Sequence, residues 1–346
     1  MSVTFDGIDV ADLDEAFLHC RSALADLQGG RLFLTGGTGF FGRWLLATIA
    51  RGRPELDLEV TVLTRDPERF RRDHPDIAAQ DCVTFVRGDV RSFQFPEDRF
   101  SHVIHAATDT SASADADAST LMESIVDGTK RVLNFAMSSG VRRLLYVSSG
   151  AIYGTQPSDL TLVPECYRGA CDPLDPRSAY GQAKRMAEQM CVCAQARGGL
   201  EIVIARAFAF VGPGLPLDAH FAIGNFIRDA VANRDILLLG DGSPLRTYLY
   251  ASDLAAWLFT LLARGEAGAA YNVGSDHVIS IAELAHMVAK IALQQSRVDI
   301  RGKVSGGPRA RYAPCIDKAR ALGLDVWTPL DEAIRRTMDH AIRQAS

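Results

Sequence analysis

Ser149, Tyr180 and Lys184 are the residues of this chain whose types and spacing suit proton transfer. Ser148-Ser149 stands at the carboxyl end of a predicted strand over Arg143–Ser148, and Tyr180-Gly-Gln-Ala-Lys184 opens a predicted helix over Ser178–Ala196. Residues four apart share a helix face, so the lysine ammonium can sit beside the phenol. A free phenol has a pKa of roughly 10, too high to trade protons efficiently at neutral pH, and a nearby cation lowers it. A serine hydroxyl beside the phenol can hold a substrate oxygen whose charge changes during reaction. Alone, each element is commonplace: Tyr-x-x-x-Lys arises by chance, and Ser-Ser often ends a strand. Their position behind a second motif makes them specific.

That motif is Arg31-Leu-Phe-Leu-Thr-Gly-Gly-Thr-Gly-Phe-Phe-Gly42. Leu32–Thr35 reads as a short buried strand running into Gly36, Gly37, Gly39 and Gly42, and a helical pattern follows through Arg43–Ala50. Strand, glycine turn and helix place a pyrophosphate against a helix N-terminus, where free N–H groups and the helix dipole favour the anion and residues lacking Cβ admit it. An ordinary tight βα turn is the alternative. The strand before and the helix after are the context that a dinucleotide fingerprint requires.

The elements that must position these residues alternate. Strands are predicted at Glu59–Thr64, Val83–Arg87, His102–Ala107 and Glu201–Ala205, with a helix over Ser119–Ser138 and an amphipathic packing helix over 9–28 that includes Leu13, Phe17 and Leu24. This βα alternation implies a doubly wound α/β fold of the Rossmann type, with a parallel sheet and ligands at the strands' carboxyl ends. After residue 206 the pattern changes: a loop at Gly212–Pro216, a helix over Ala222–Ala232, a strand at Ile236–Leu239 and a turn at Gly240–Gly242. We expect a cofactor-binding domain over 1–206 and a smaller interleaved substrate lobe over 207–346, with 245–275 returning to the first domain. Ser111–Ser119 is a mobile-loop candidate.

Composition fits a globular protein: 346 residues, 47% hydrophobic and 23% charged. A net charge of −5 argues against nucleic-acid or anionic-membrane partners. The first thirty residues carry Asp6, Asp9, Asp12, Asp14, Glu15 and Asp26 rather than the basic start of a signal peptide, and no apolar run approaches the ~18 residues of a membrane span. Seven cysteines, odd in number and without ligand spacing, suggest free thiols in a cytoplasmic protein and no metal site.

Over nearly its whole length the chain resembles the extended short-chain dehydrogenase/reductase family, in its branch acting on nucleotide-activated sugars. The resemblance is carried by Thr35–Gly42, Gly88-Asp89-Val90, His105-Ala-Ala107, Val147–Gly154, Tyr180/Lys184, Arg206–Pro213, Gly240–Asp253 and Tyr271–Gly274. It implies that Ser149, Tyr180 and Lys184 are catalytic. It further implies that Gly36, Gly39, Phe40, Phe41 and Gly42 bind the cofactor, that Asp89-Val90 lie by the adenine, and that Ala106, Ala107 and Thr108 line its path. For the substrate it points to Arg246 and Asn225 near the diphosphate and to Arg311, or its neighbour Arg309, closing over the nucleotide. A solvated surface role is the alternative for each of these. A homodimer through a four-helix contact is also implied, consistent with Ala183, Ala187, Met190, Cys191 and Ala194 on the second helix; packing on the chain's own sheet is the alternative.

Departures from the family narrow the chemistry. Its 4,6-dehydratases carry Asp-Glu directly after the catalytic hydroxyl, and its uronate decarboxylases carry the glutamate; here Gly150-Ala151 transfer no proton. Ala209 stands where many members carry Asn or His, and Ser124 replaces a common asparagine. At the end of the second strand, Thr64-Arg65 replaces the carboxylate that hydrogen-bonds the adenosine ribose in NAD-preferring folds. Arg65 can pair with a 2′-phosphate, with Arg69 assisting, whereas Asp66 could turn back to the ribose. NADP(H) is therefore favoured over NAD(H). The expected activity is NADPH-dependent reduction of a nucleotide-linked 4-keto-6-deoxyhexose. The alternatives are a 4-epimerase holding NAD tightly and a catalytically silent nucleotide-binding subunit.

Overall fold

The computed structural model of the chain describes residues 3–108, 118–219, 221–292, 296–303 and 309–345. Most of the Ser111–Ser119 segment lies outside them.

Alternating strands and helices build a seven-stranded sheet. Its elements are α1 (Val10–Ala25), β1 (Gly30–Thr35), α2 (Phe40–Gly52), β2 (Leu58–Thr64), α3 (Pro67–Asp73), β3 (Val83–Arg87), β4 (His102–His105), α4 (Ala118–Ser138), β5 (Arg143–Ser149), α5 (Ala179–Ala196) and β6 (Glu201–Ala207). The later chain adds α6 (Ala222–Val231), β7 (Ile236–Leu238), β8 (Leu245–Arg246), α7 (Ala251–Arg264), β9 (Ala270–Val273), β10 (Ile279–Ser280), α8 (Ile281–Ile291), β11 (Val298–Ile300), β12 (Arg311–Tyr312) and α9 (Leu330–Ala345). The sheet order is β3-β2-β1-β4-β5-β6-β9, and every adjacent pair is parallel. Strand order reverses between β1 and β4, and a ligand crevice opens at that switch point.

Burial on both faces explains the apolar strands. β4 is buried at every position, and β5 at all but its first. α1 packs as expected, with Leu13, Ala16, Cys20, Ala23 and Leu24 buried at helical spacing, while Phe17 lies against Gly52. α7 is buried along its first twelve residues.

Predicted boundaries shift where the backbone serves the site. β4 stops at His105 rather than Ala107, because the Ala106 carbonyl turns to lie against Gly36. β5 and β6 run further than expected, to Ser149 and Ala207, which pair directly. In the later chain, β8 is flanked by β10 and β12, and β7 pairs with β11. Among the described residues no helix is long and apolar enough to cross a membrane, and no group of His, Cys, Asp and Glu could hold a metal.

Candidate active site

The glycine turn closes at the switch point. Gly36 has φ +75°, a left-handed conformation that L side chains rarely adopt, and a Cβ there would meet the Ala106 carbonyl at 2.6 Å. A Cβ on Gly42 would meet the Gly37 backbone at 2.3 Å, so α2 sits directly on the turn. Gly39 caps α2 without a side chain. The first N–H groups of α2 thus have no side-chain cap, a geometry that suits an anion. This backbone geometry suits a dinucleotide pyrophosphate. Ala107 N donates to Thr35 Oγ1 at 3.2 Å, and Thr35 Oγ1 contacts His105 Nδ1 at 2.7 Å. Burial lowers His105 to about 3, so it is neutral. It holds the strand ends together rather than shuttling protons.

On the ribose side, Asp66 caps a helix. Its carboxylate accepts from Arg69 N at 3.1 Å and caps α3, and Arg69 pairs with Asp73. Asp89 is held by Arg91 and lies below the usual carboxylate range, mainly because of that hydrogen bond. Among the described residues no carboxylate forms an ion pair with Arg65, which is exposed beside the buried Thr64. Val90 packs against Gly128 of α4.

Ser149, Tyr180 and Lys184 are brought together at the ends of β5 and α5. The Ser149 hydroxyl accepts from Ala151 N at 3.1 Å, capping the turn Gly150–Tyr153. Burial raises the Tyr180 phenol above its ordinary value, against the lowering influence of the neighbouring Ser149 hydroxyl. That is opposite to the lowering expected from the four-residue spacing. The reason is visible in Lys184: its ammonium, only 3% exposed, is 6.0 Å from the Tyr180 ring centre and donates to Thr108 Oγ1 and Val147 O at 2.8 Å. Burial pushes Lys184 down to about 7, with Glu188 opposing. Two of its three N–H groups are taken, and the third remains for a ligand.

Residues not singled out from the sequence complete the site. Glu188, one turn beyond Lys184, accepts from Ser148 Oγ at 2.6 Å and forms a two-pronged ion pair with Arg206. Its spacing from Tyr180 and Lys184 placed it on their helix face, which was a readable signal. Phe208 closes the position after Ser149: a Cβ on Gly150 would meet its ring at 2.7 Å. The Tyr312 ring packs against Phe208, tilted by 38° with ring centres 4.6 Å apart. Its hydroxyl donates to Ala207 O at 3.5 Å. No local motif announces either aromatic.

The predicted substrate residues separate. Arg246 lies beside Tyr312 across the β8–β12 pairing, with Nη1 donating to Leu245 O. Arg311 points elsewhere, to Thr161 O at 3.0 Å, as alternation along a two-residue strand requires. The amide oxygen of Asn225 is taken by Arg228. Ala209 serves through its backbone, accepting from Leu249 N. On α5, Ala183, Ala187, Cys191 and Ala194 are buried in the same apolar cluster as residues of α4, so these small residues serve the protein's own packing.

A family profile described as "NAD dependent epimerase/dehydratase family" matches residues 32–274. UDP-glucuronic acid decarboxylase 1 of Danio rerio is 27% identical over 325 residues, covering 93% of this chain and 75% of the relative. Among solved structures, UDP-glucuronic acid 4-epimerase of Bacillus cereus, in complex with UDP-glucuronic acid and NAD, superposes with TM-score 0.76 at 20% identity, over 91% of this chain and 100% of that one. RMD of Pseudomonas aeruginosa, complexed with NADPH, superposes with TM-score 0.72 at 24% identity, over 91% and 99%. At these identities the superpositions establish the fold, a Rossmann sheet of the same kind.

Proposed function

The chain belongs to the NAD dependent epimerase/dehydratase family, and from that premise we propose that it reduces the keto group of a nucleotide-linked 4-keto-6-deoxyhexose with NADPH. The observation that carries the reading is the sealed position after Ser149. Gly150 and Ala151 transfer no proton, and the Phe208 ring fills the space a side chain at 150 would enter. Loss of water or of a carboxylate by the family's usual acid–base pair therefore has no group to perform it. The decarboxylase similarity at 27% identity does not extend to that glutamate. Tyr180 is left as the site's proton donor, and one donor suffices for a ketone reduction.

NADPH, when bound, supplies the hydride to the carbonyl carbon. Tyr180 gives its hydroxyl proton to the carbonyl oxygen, and Ser149 holds that oxygen with a hydrogen bond. Lys184 directs its remaining N–H to the cofactor ribose, anchored by Thr108 and Val147. Arg246, beside Tyr312, is the cation offered to the substrate diphosphate. Arg65 supports the choice of NADP(H), since one carboxylate oxygen of its competitor Asp66 is engaged in capping a helix.

A 4-epimerase would use the same three residues in both directions. What favours reduction is the ribose corner, because a 2′-phosphate grip suits a dissociable cofactor. A homodimer would have to use the exposed Met122, Met186 and Val192 of α4 and α5. The test is a panel of nucleotide-linked 4-keto sugars incubated with NADPH or NADH. We expect substrate-dependent oxidation of NADPH. Epimerisation by protein that carries NAD through purification would reverse the assignment.

A further inference from the structure

We propose that Tyr146 is a positioning residue whose ring face holds the Lys184 ammonium in its charged form, the only form with an N–H left to give. Lys184 Nζ lies 5.1 Å from the centre of the Tyr146 ring, inside the range of a cation–π contact, whereas the Tyr180 ring, at 6.0 Å, stands at its limit. Both hydrogen-bond partners of Lys184 can only accept. Val147 offers a carbonyl, and the Thr108 hydroxyl gives its own proton to Ala107 O at 2.8 Å. A neutral amine would therefore spend both of its N–H groups on Thr108 and Val147, and only the ammonium has a third. Glu188 favours the charged form from one turn away, but its carboxylate is spent on Arg206 and Ser148.

The sheet places Tyr146 for this task. It is the direct cross-strand partner of His105 on β4, with ring centres 5.5 Å apart, and is only 1% exposed. Alternation along β5 puts it on the same face as Ser148, which bonds Glu188 of α5, so the ring lies under that helix. Its hydroxyl has no hydrogen-bond partner among the described residues, which leaves the ring as the part the site uses. Burial raises the phenol well above its ordinary value and keeps the ring neutral. Burial also pushes Lys184 down to about 7, so its charge is finely balanced at neutral pH, where a desolvated cation–π contact decides it. The titratable groups facing this pair are Tyr180, Glu188 and Cys191 from α5 and His105 from β4, while α4 contributes Thr129.

The inference rests on the proposed cofactor role of Lys184 for its binding arm only, so the first arm needs neither cofactor nor sugar. In enzyme carrying isotope-labelled lysine, the NMR signal lost in Lys184→Met reports the titration of that one ammonium. Tyr146→Phe keeps the ring and should leave the midpoint nearly where it is in wild type. A ring-fluorinated phenylalanine at the same position keeps the shape but strips the negative face, and should lower the midpoint by about one pH unit. A role in packing alone would not produce that shift. In the second arm, NADPH binding followed by fluorescence should weaken as pH rises through the same midpoint. The fluorinated ring should move that limb down equally, and should change nothing in the Lys184→Met background. An unmoved midpoint with the fluorinated ring, or equal shifts for it and Tyr146→Phe, would overturn the proposal. A shifted midpoint with NADPH binding independent of pH would support the role of the ring and count instead against Lys184 as the donor to the cofactor ribose.

Discussion

The two walls of the active site are built by different physics. On the cofactor side, long parallel strands end in step and backbone does the positioning: Gly36 lies against the Ala106 carbonyl, Gly39 leaves the α2 N-terminus open, and Ser149 sits on the last rung of β5. On the substrate side, Phe208, Arg246 and Tyr312 come from a strand end and two two-residue strands distant in sequence. Side-chain packing holds them, at 4.6 Å between the tilted rings of Phe208 and Tyr312. A wall made of backbone admits little variation in the residues that form it. A wall made of side chains can be rebuilt one residue at a time, and that is where a family changes its reaction while keeping its cofactor.

The largest effect should come from the first wall. Tyr180→Phe should preserve fold and cofactor binding and lower turnover by roughly 10²–10⁴-fold, read under single-turnover conditions where chemistry limits the rate. Near-normal turnover would show that the proton comes from the substrate wall instead. Next, Arg65→Ala should weaken NADPH about tenfold to a hundredfold and leave NADH nearly unchanged in parallel titrations, since charge-assisted hydrogen bonds are worth about 1.5–3 kcal/mol. Equal losses for both cofactors would remove Arg65 from the phosphate.

On the second wall, Gly150→Ala should destabilise the protein by about 1–3 kcal/mol through overpacking against Phe208, read by urea unfolding. Phe208→Leu in the same chain should recover most of the loss. No loss in Gly150→Ala would mean that the Phe208 ring yields freely and the position is not sealed.

A smaller effect concerns Lys184, which ties the walls together. Its folded value of about 7 lies below the unfolded value. Between the two, the unfolded chain binds the extra proton, so this group's contribution to stability rises with pH above about 7, with a slope of at most about 1.4 kcal/mol per pH unit. Lys184→Met should therefore be more stable than wild type at pH 6, and the difference should shrink by pH 9. A constant difference across that range would place the lysine's charge in a better-solvated site than its burial indicates.

The cofactor wall was legible in the sequence because its signals are local. A left-handed Gly36, an uncapped helix start and a Tyr-x-x-x-Lys turn each sit within a few neighbouring residues. Glu188 belonged to the same helix face and was readable by the same rule. Phe208 and Tyr312 were not, because each gains its meaning only from a contact between segments distant in sequence. Arg246 and Arg311 show the limit in one strand pair: both were flagged, and alternation sends only one toward the site. The small residues of α5 suited a partner helix or the chain's own core equally well by spacing. Only burial separates these, and it favours the core. The raised Tyr180 phenol was likewise hidden, since helix spacing brings Lys184 near without revealing that both groups are desolvated.

The central claim is that net hydride transfer from NADPH reduces a sugar ketone here, with Tyr180 as the proton donor. Incubating the enzyme with NADPH deuterated at the transferable position of the nicotinamide and a nucleotide-linked 4-keto-6-deoxyhexose tests it directly by mass and NMR analysis of the product. One deuterium is expected at the former carbonyl carbon for each NADP⁺ formed, with loss of that incorporation in Tyr180→Phe. A nucleotide sugar inverted at C4 with no deuterium and no NADPH consumed would contradict it.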